Sequence, residues 1–356
     1  MSWPRLHHWR DTARRQWPGL CLCAVVALAA TFVSEHYGGP QLLYALLIGL
    51  ALNFLATDTR IRPGLDLCSR TLLRAGVALL GLRITAHQVV ALGWQTALLA
   101  VVALGSTVLV GLALARRLGR PTDEGAIAGA AVGICGASAA LAVASVLPST
   151  QENERFTLLT VMGVTLLSTT AMVLYPLLAK WTGLTPQQAG VFFGASIHDV
   201  AQVVAAGTLL SQAGEVAAAD SAVIVKLFRV MLLMPVVLMV AIAVQRRSAA
   251  ATAQVPPSAS GPEDDTAPGV QAVPLVPGFL LVFIVFMLAH TSGWVPDTLT
   301  AAGSQWSRHL LVVAIAAVGI KTLPADLLKL GWTPVALLVT ETVWIAGLTL
   351  VAAQWL

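Results

Sequence analysis

Within the nine residues Gly194-Ala195-Ser196-Ile197-His198-Asp199-Val200-Ala201-Gln202, an imidazole, a carboxylate and a carboxamide fall inside an otherwise apolar run from Val191 to Leu210. A charged side chain at the centre of a bilayer costs about 3 kcal/mol or more, so ionisable groups at that depth mark ion, proton or substrate sites. On a helix His198 and Gln202 share a face, with Asp199 about 100° round. Asp199 and His198 could bind a proton or Na⁺. The plainer alternative is that Asp199 caps a resumed helix and His198 bonds a neighbouring carbonyl. Gly-Ala-Ser commits weakly to helix, which suits an interruption in mid-membrane. A second copy, Gly136-Ala137-Ser138, follows Gly133-Ile134-Cys135 in another apolar segment. Paired interruptions in one hydrophobic chain are the mark of discontinuous helices around a binding site.

Lys226 and Arg229 lie three residues apart in a third apolar segment and so on one helical face. Two cations there demand a counter-charge: a carboxylate such as Asp199 or Glu341, or a bound oxyanion, whose geometry suits the arginine fork. Helix N-termini at the interruptions would add N–H donors and positive dipole ends, which also favour an anion. The expected substrate contacts are therefore Gly136, Ala137, Ser138, Gly194, Ser196, His198, Asp199, Gln202, Lys226 and Arg229. Asp199, His198 and Glu341 are the coupling-ion candidates. Arg74, Asn53 and His290 are weaker, since Arg74 and His290 lie near segment ends and can snorkel to water.

Composition says which elements must position these groups. Of 356 residues 57% are hydrophobic and 11% charged, with mean hydropathy +0.81. Soluble domains carry about 25% charged residues, so this chain cannot cover a water-facing surface and is an integral membrane protein. The net charge of +4 is scattered over loops, which excludes a nucleic-acid partner. Cysteines 21, 23, 68 and 135 form neither a metal-ligand pattern nor a disulfide framework, though Cys135 abuts the first interruption. No zinc-protease, Walker or nucleophile-elbow motif occurs, so no metal, cofactor or catalytic residue is expected.

Apolar segments predict an all-α bundle of about eleven transmembrane helices: Trp17–Val33, Pro40–Ala56, Leu72–Leu82, Trp94–Ala115, Gly125–Leu147, Phe156–Ala179, Pro186–Leu210, Ser221–Val244, Pro274–His290, Trp306–Ile320 and Trp332–Trp355. Whether the two interrupted segments span or re-enter is left open. Residues 1–17 form a cytoplasmic N-terminal segment, 18–244 and 274–356 the two membrane parts, and 245–273, rich in Ala, Ser and Pro, a disordered cytoplasmic linker. With the N-terminus in the cytoplasm, fifteen basic residues fall inside and three (Arg83, Arg155, Arg308) outside, which predicts a periplasmic C-terminus. An internal repeat relates Gly81-Leu82-Arg83-Ile84 and Gly93-Trp94 to Gly319-Ile320-Lys321-Thr322 and Gly331-Trp332 at one offset of 238 residues. The two copies run antiparallel, as in inverted-repeat transporters. The two Gly-Ala-Ser copies do not pair under that offset.

Gly194 to Gly207, Val225-Lys226-Leu227-Phe228-Arg229-Val230, Gly133 to Ala139 and Arg74 to Arg83 together resemble the YeiH family of bacterial membrane proteins, assigned the export of sulfate. The resemblance covers most of residues 20–355. It implies a multi-pass inner-membrane transporter whose fold is similar to the cation–proton antiporter and bile-acid symporter group. The resulting expectation is a secondary transporter of a small anion, sulfate or a related sulfur oxyanion, in the export direction. A proton- or Na⁺-coupled cation antiporter using Asp199 is the alternative within transport, and a membrane-embedded sensor or enzyme the alternative outside it. The expected partners are the anion, the bilayer and a coupling proton or Na⁺. Oligomeric state is left open, a homo-oligomer included.

Overall fold

The computed structural model describes residues 4–37, 41–148, 150–210, 217–252, 278–322 and 332–356, and these are helical with no strand among them. In chain order the helices are α1 Pro4–Tyr37, α2 Gln41–Ala51, α3 Arg62–Asp66, α4 Leu73–Leu80, α5 Ala86–Ala91, α6 Gly93–Arg117, α7 Thr122–Ala130, α8 Ala137–Ala144, α9 Gln151–Trp181, α10 Pro186–Ser196, α11 Val200–Leu210, α12 Ala217–Met231, α13 Leu233–Thr252, α14 Gly278–Thr291, α15 Asp297–Lys321 and α16 Trp332–Ala353. A π-helical segment, Leu67–Leu72, joins α3 to α4, and another, Ala131–Cys135, extends α7. Threonine starts several helices: Thr85 and Thr185 form capping boxes with Gln88 and Gln188, and the Thr150 hydroxyl accepts from the Asn153 N–H. Among the described residues five stretches are long and apolar enough to cross a membrane, and α2, α11 and α14 are shorter apolar helices. The chain is an all-α membrane protein. Of the stretch expected as a linker, residues 245–252 continue α13 and the rest lies outside the described residues.

Both interrupted segments turn back. The chain enters α7 beside Arg120, which pairs with Glu124, and by the start of α9 it has returned to the same end: Arg120 Nη2 lies 3.5 Å from Glu152 Oε1. Arg247, near the end of α13, reaches Asp123 there at 3.4 Å. The second hairpin is fixed by α12. A Cβ built on Gly190, early in α10, would lie 2.5 Å from the Ala218 carbonyl oxygen, and one on Gly207, late in α11, 2.6 Å from Ala219 Cα. Both stems therefore stand against the first turn of α12, and the chain between them dips into the bundle and comes out again. The question left open by the sequence resolves to re-entry, so Gly125–Leu147 and Pro186–Leu210 are not crossings. A 23- to 25-residue apolar stretch has the length of a span either way; what sends it back is the bend at its middle.

The inverted repeat is larger than the sequence motif. An offset of 238 carries α2 onto α14, the α3–α4 stretch onto α15, and α6 onto α16. Packing follows a pseudo-two-fold: α2 lies on α15 as α14 lies on α4, while α4 packs on α15 and α6 on α16. Hairpin-then-long-helix also occurs twice, as α7–α8–α9 and α10–α11–α12–α13, entering from opposite ends. This supplies the relation between the two Gly-Ala-Ser copies that the 238-residue offset does not. The repeat-equivalent cations Arg83 and Lys321 each find an aspartate, Arg83 with Asp220 and Lys321 with Asp66 at 2.6 Å.

Re-entry is testable with thiol chemistry. Arg120→Cys combined with Glu152→Cys should be bridged by a short bifunctional thiol reagent, which spans the gap that the two long side chains fill. Cysteines placed singly at Leu118 and Thr150 should label from one side of the membrane, and cysteines at Thr185 and Leu210 from the other. Labelling of Leu118 and Thr150 from opposite sides would mean that the first segment spans.

Candidate functional site

The tips of the two hairpins meet. Gly136, at φ +63°, makes the first bend, and a Cβ placed on it would lie 3.7 Å from His198 Cβ on the second. Positive φ is the conformation that only glycine adopts without penalty, so the turn and the residue go together. At the second tip α10 stops because Ile197 takes extended backbone (φ −65°, ψ 141°), and α11 starts again at Val200.

Ending two helices in a bundle interior leaves carbonyls that no water can reach. Lys226 and Arg229, both fully buried on α12, take them. Lys226 Nζ donates to Ile134 O at 2.5 Å and to Ile197 O at 2.8 Å. Arg229 Nε donates to Gly133 O at 2.9 Å, Nη1 to Gly194 O at 3.0 Å and Ile197 O at 3.3 Å, and Nη2 to Val132 O at 3.0 Å and Gly133 O at 2.5 Å. All five guanidinium donors are thus engaged, on both hairpins. This corrects the expected counter-charge. Arg229 pairs with neither Asp199 nor Glu341; it meets the negative ends of two helices.

The remaining expected residues divide into two groups. Gly194 lets α10 approach α12, and the Ser196 hydroxyl donates to Phe192 O at 2.5 Å; both serve the hairpin's own architecture. Asp199 Oδ1 accepts from the Ala201 N–H at 2.9 Å, the capping role foreseen for it, and the Asp199 N–H donates to Ser168 Oγ at 3.1 Å. Its side chain is mostly buried near Lys226, and Ser138 is exposed with Ala137 beside it at the start of α8. The Thr342 hydroxyl donates to Leu338 O, so the 3.1 Å contact between His198 Nε2 and Thr342 Oγ1 makes Nε2 the donor. His198 Nδ1, with the Val132 and Ser196 carbonyls nearby, has no hydrogen bond of ordinary geometry. Neither amide atom of the fully buried Gln202 has a partner, nor does Thr160 Oγ1 on α9. Val164, one turn beyond Thr160, touches Gly136. Glu341 stands apart, its carboxyl in the space left by the missing side chain of Gly111.

Sequence reasoning missed Thr160, Ser168, Thr342 and the carbonyls of Val132, Gly133 and Ile134. A lone hydroxyl in an apolar helix gives no pattern, and a carbonyl gives none at all; the small residues around Gly133 were the signal available. The assembled junction has unsatisfied donors and acceptors, two helix N-termini and a carboxylate, a set able to bind and release a small ion.

The family described as conserved hypothetical protein 698 matches residues 18–338. The UPF0324 membrane protein TauZ of Paracoccus denitrificans is 45% identical over 95% of this chain and 94% of its own length. A UPF0324 membrane protein of Chlorobaculum tepidum is 42% identical over 96% of this chain and 90% of its own, and one of Corynebacterium glutamicum 31% identical over 94% and 90%. No solved structure matches significantly.

The role of Arg229 yields a stability prediction. Arg229→Gln removes charge-assisted bonds to both tips, worth about 1.5–3 kcal/mol each, and should lower the melting temperature sharply. Neither Asp199→Asn nor Glu341→Gln should restore it, because no carboxylate is stranded. A near-native melting temperature, or rescue by either second change, would show that the guanidinium is not the clamp described.

Proposed function

The chain belongs to the UPF0324 membrane protein family, and from that premise we propose that it is a secondary transporter whose substrate, a small anion, binds between the hairpin tips. The observation that carries this reading is the charge balance at the junction. Lys226 and Arg229 bring two positive charges, of which the two helix C-ends offset about one and Asp199 another. The N-termini of α8 and α11 start at the same place and add about half a positive charge each. The surplus is positive and attracts an anion. Sulfate or a related sulfur oxyanion, moved outward, is the assignment that the resemblance to the YeiH family supports.

The basic residues support an inner-membrane orientation with the N-terminus in the cytoplasm and the C-terminus in the periplasm. Re-entry of both hairpins leaves nine crossings. It moves Arg155 inside and Lys180 outside, so the fifteen-to-three imbalance is unchanged. A carboxylate at this depth, that of the mostly buried Asp199, favours a second reading, a proton- or Na⁺-coupled cation antiporter that uses it.

Flux of radiolabelled sulfate, sulfite and taurine in proteoliposomes tests the first reading, with Gln202→Leu as the diagnostic variant. Gln202 has no partner to lose, so the change should leave or raise the melting temperature, yet cut flux by about tenfold or more if the amide binds the anion. Asp199→Asn should retain anion flux. Loss of Na⁺ or proton exchange in Asp199→Asn, with no anion flux in the parent protein, would favour the antiporter instead.

A further inference from the structure

Glu341 is fully buried, and neither carboxyl oxygen has a hydrogen-bond partner. The space it fills is made for it. A Cβ added to Gly111 on α6 would collide with Glu341 Oε1, and the same Cβ would lie 2.7 Å from the Gly125 carbonyl oxygen on the stem of the first hairpin. The missing side chain of Gly111 thus leaves room for a carboxyl group, close packing of Gly125 on Gly111 closes that space off, and no donor is offered to it. Small residues alone would explain close packing, but an acid inserted among them needs another reason.

The surrounding titratable groups do not supply it. On α6, Arg116 and Arg117 lie more than a turn beyond Gly111. On α7, Asp123 and Glu124 precede Gly125, and the Glu124 carboxylate is held by Arg120. Of the charged residues of α9 nearest this end, Glu152 faces Arg120; α10 carries none, and the π-helical segment carries only Cys135. On α16 itself Glu341 is the one charged residue, and the next, Thr342, holds His198. Among the described residues, none forms an ion pair or hydrogen bond with Glu341.

We infer that Glu341 is a proton-binding site which sets how the first hairpin packs: protonated, it lets the α7 stem close on α6 and α16, and deprotonated, it drives the stem apart and admits water. The packed slot accommodates the neutral acid. A carboxylate in the same slot has neither counter-charge nor donor, and an uncompensated buried charge is relieved by hydration, which here requires the stem to move. The proton is taken up by a carboxylate oxygen and released to the water that enters, so no other reactant is needed. That this proton couples to substrate movement rests on the anion-transport reading; the protonation-dependent packing does not.

The test uses the full-length protein with two independent readouts. First, in detergent or bilayer, an infrared carboxylic-acid carbonyl band should disappear in Glu341→Gln, and a cysteine at Ala126 on the stem should label faster as pH rises in the parent but not in that variant, the native cysteines having been replaced in both. Second, in proteoliposomes, anion flux should vary with pH by up to about tenfold per unit, the limit for one titrating group, and become flat in Glu341→Gln. An unchanged infrared band, or stem labelling with the same pH profile in both proteins, overturns the inference. If the parent protein moves no anion while band and labelling behave as expected, the proton site stands and the transport reading falls.

Discussion

The whole arrangement depends on satisfying carbonyl groups at two helix ends buried in the middle of a membrane bundle. Each orphan backbone group left in hydrocarbon costs several kcal/mol, about as much as many domains have in total stability. Water is the usual remedy at a helix end, and burial of Gly133, Ile134, Gly194 and Ile197 leaves it no surface to approach. One α-helix therefore carries a lysine and an arginine a single turn apart, and both reach the same junction. Arginine suits the larger share because its planar fork presents donors in several directions at once, and burial removes the competing water. The small residues follow from the same need. Gly194 and Gly190 bring α10 close enough to α12 for a side chain of fixed length to touch its last carbonyls.

Pseudo-symmetry explains why there are two such ends and why they face one another. A two-fold axis in the membrane plane turns a hairpin entering from one end into a hairpin entering from the other, and the tips can meet only near that axis. The frame around them repeats the relation: α2 against α15 is matched by α14 against α4. Departures from symmetry are where function would concentrate. Lys226 and Arg229 belong to the second half, and the corresponding helix of the first half, α9, offers Thr160, Val164 and Ser168 to the same junction. One side of the site is cationic and the other hydroxylic.

Much of this was readable from residue types. Sparse charge and long apolar runs announce a helical membrane protein, and His198-Asp199 with Gln202 in such a run marks the segment that breaks and meets the first hairpin. The offset shared by Gly81 and Gly319 revealed the inverted repeat. The partner of Arg229 was not readable, because carbonyls at a helix end are common to every sequence and only the fold decides which helix stops where. Re-entry was hidden for a related reason: α10 with α11 has the apolar length of one crossing. Thr342 was passed over although Glu341 beside it was noticed, since a threonine in an apolar helix most often bonds its own backbone, as this one also does.

A guanidinium bonded to Val132 and Gly133 on one hairpin and to Gly194 and Ile197 on the other makes the two tips a single fulcrum. A lever pinned at its narrow point moves least there and most at its far ends. The wide mouths of the hairpins lie farthest from that pivot, and each is tied instead by an ion pair, Arg120 with Glu152 at one end and Arg83 with Asp220 at the other. Movement at either mouth need not disturb the junction, because the pivot lies between them.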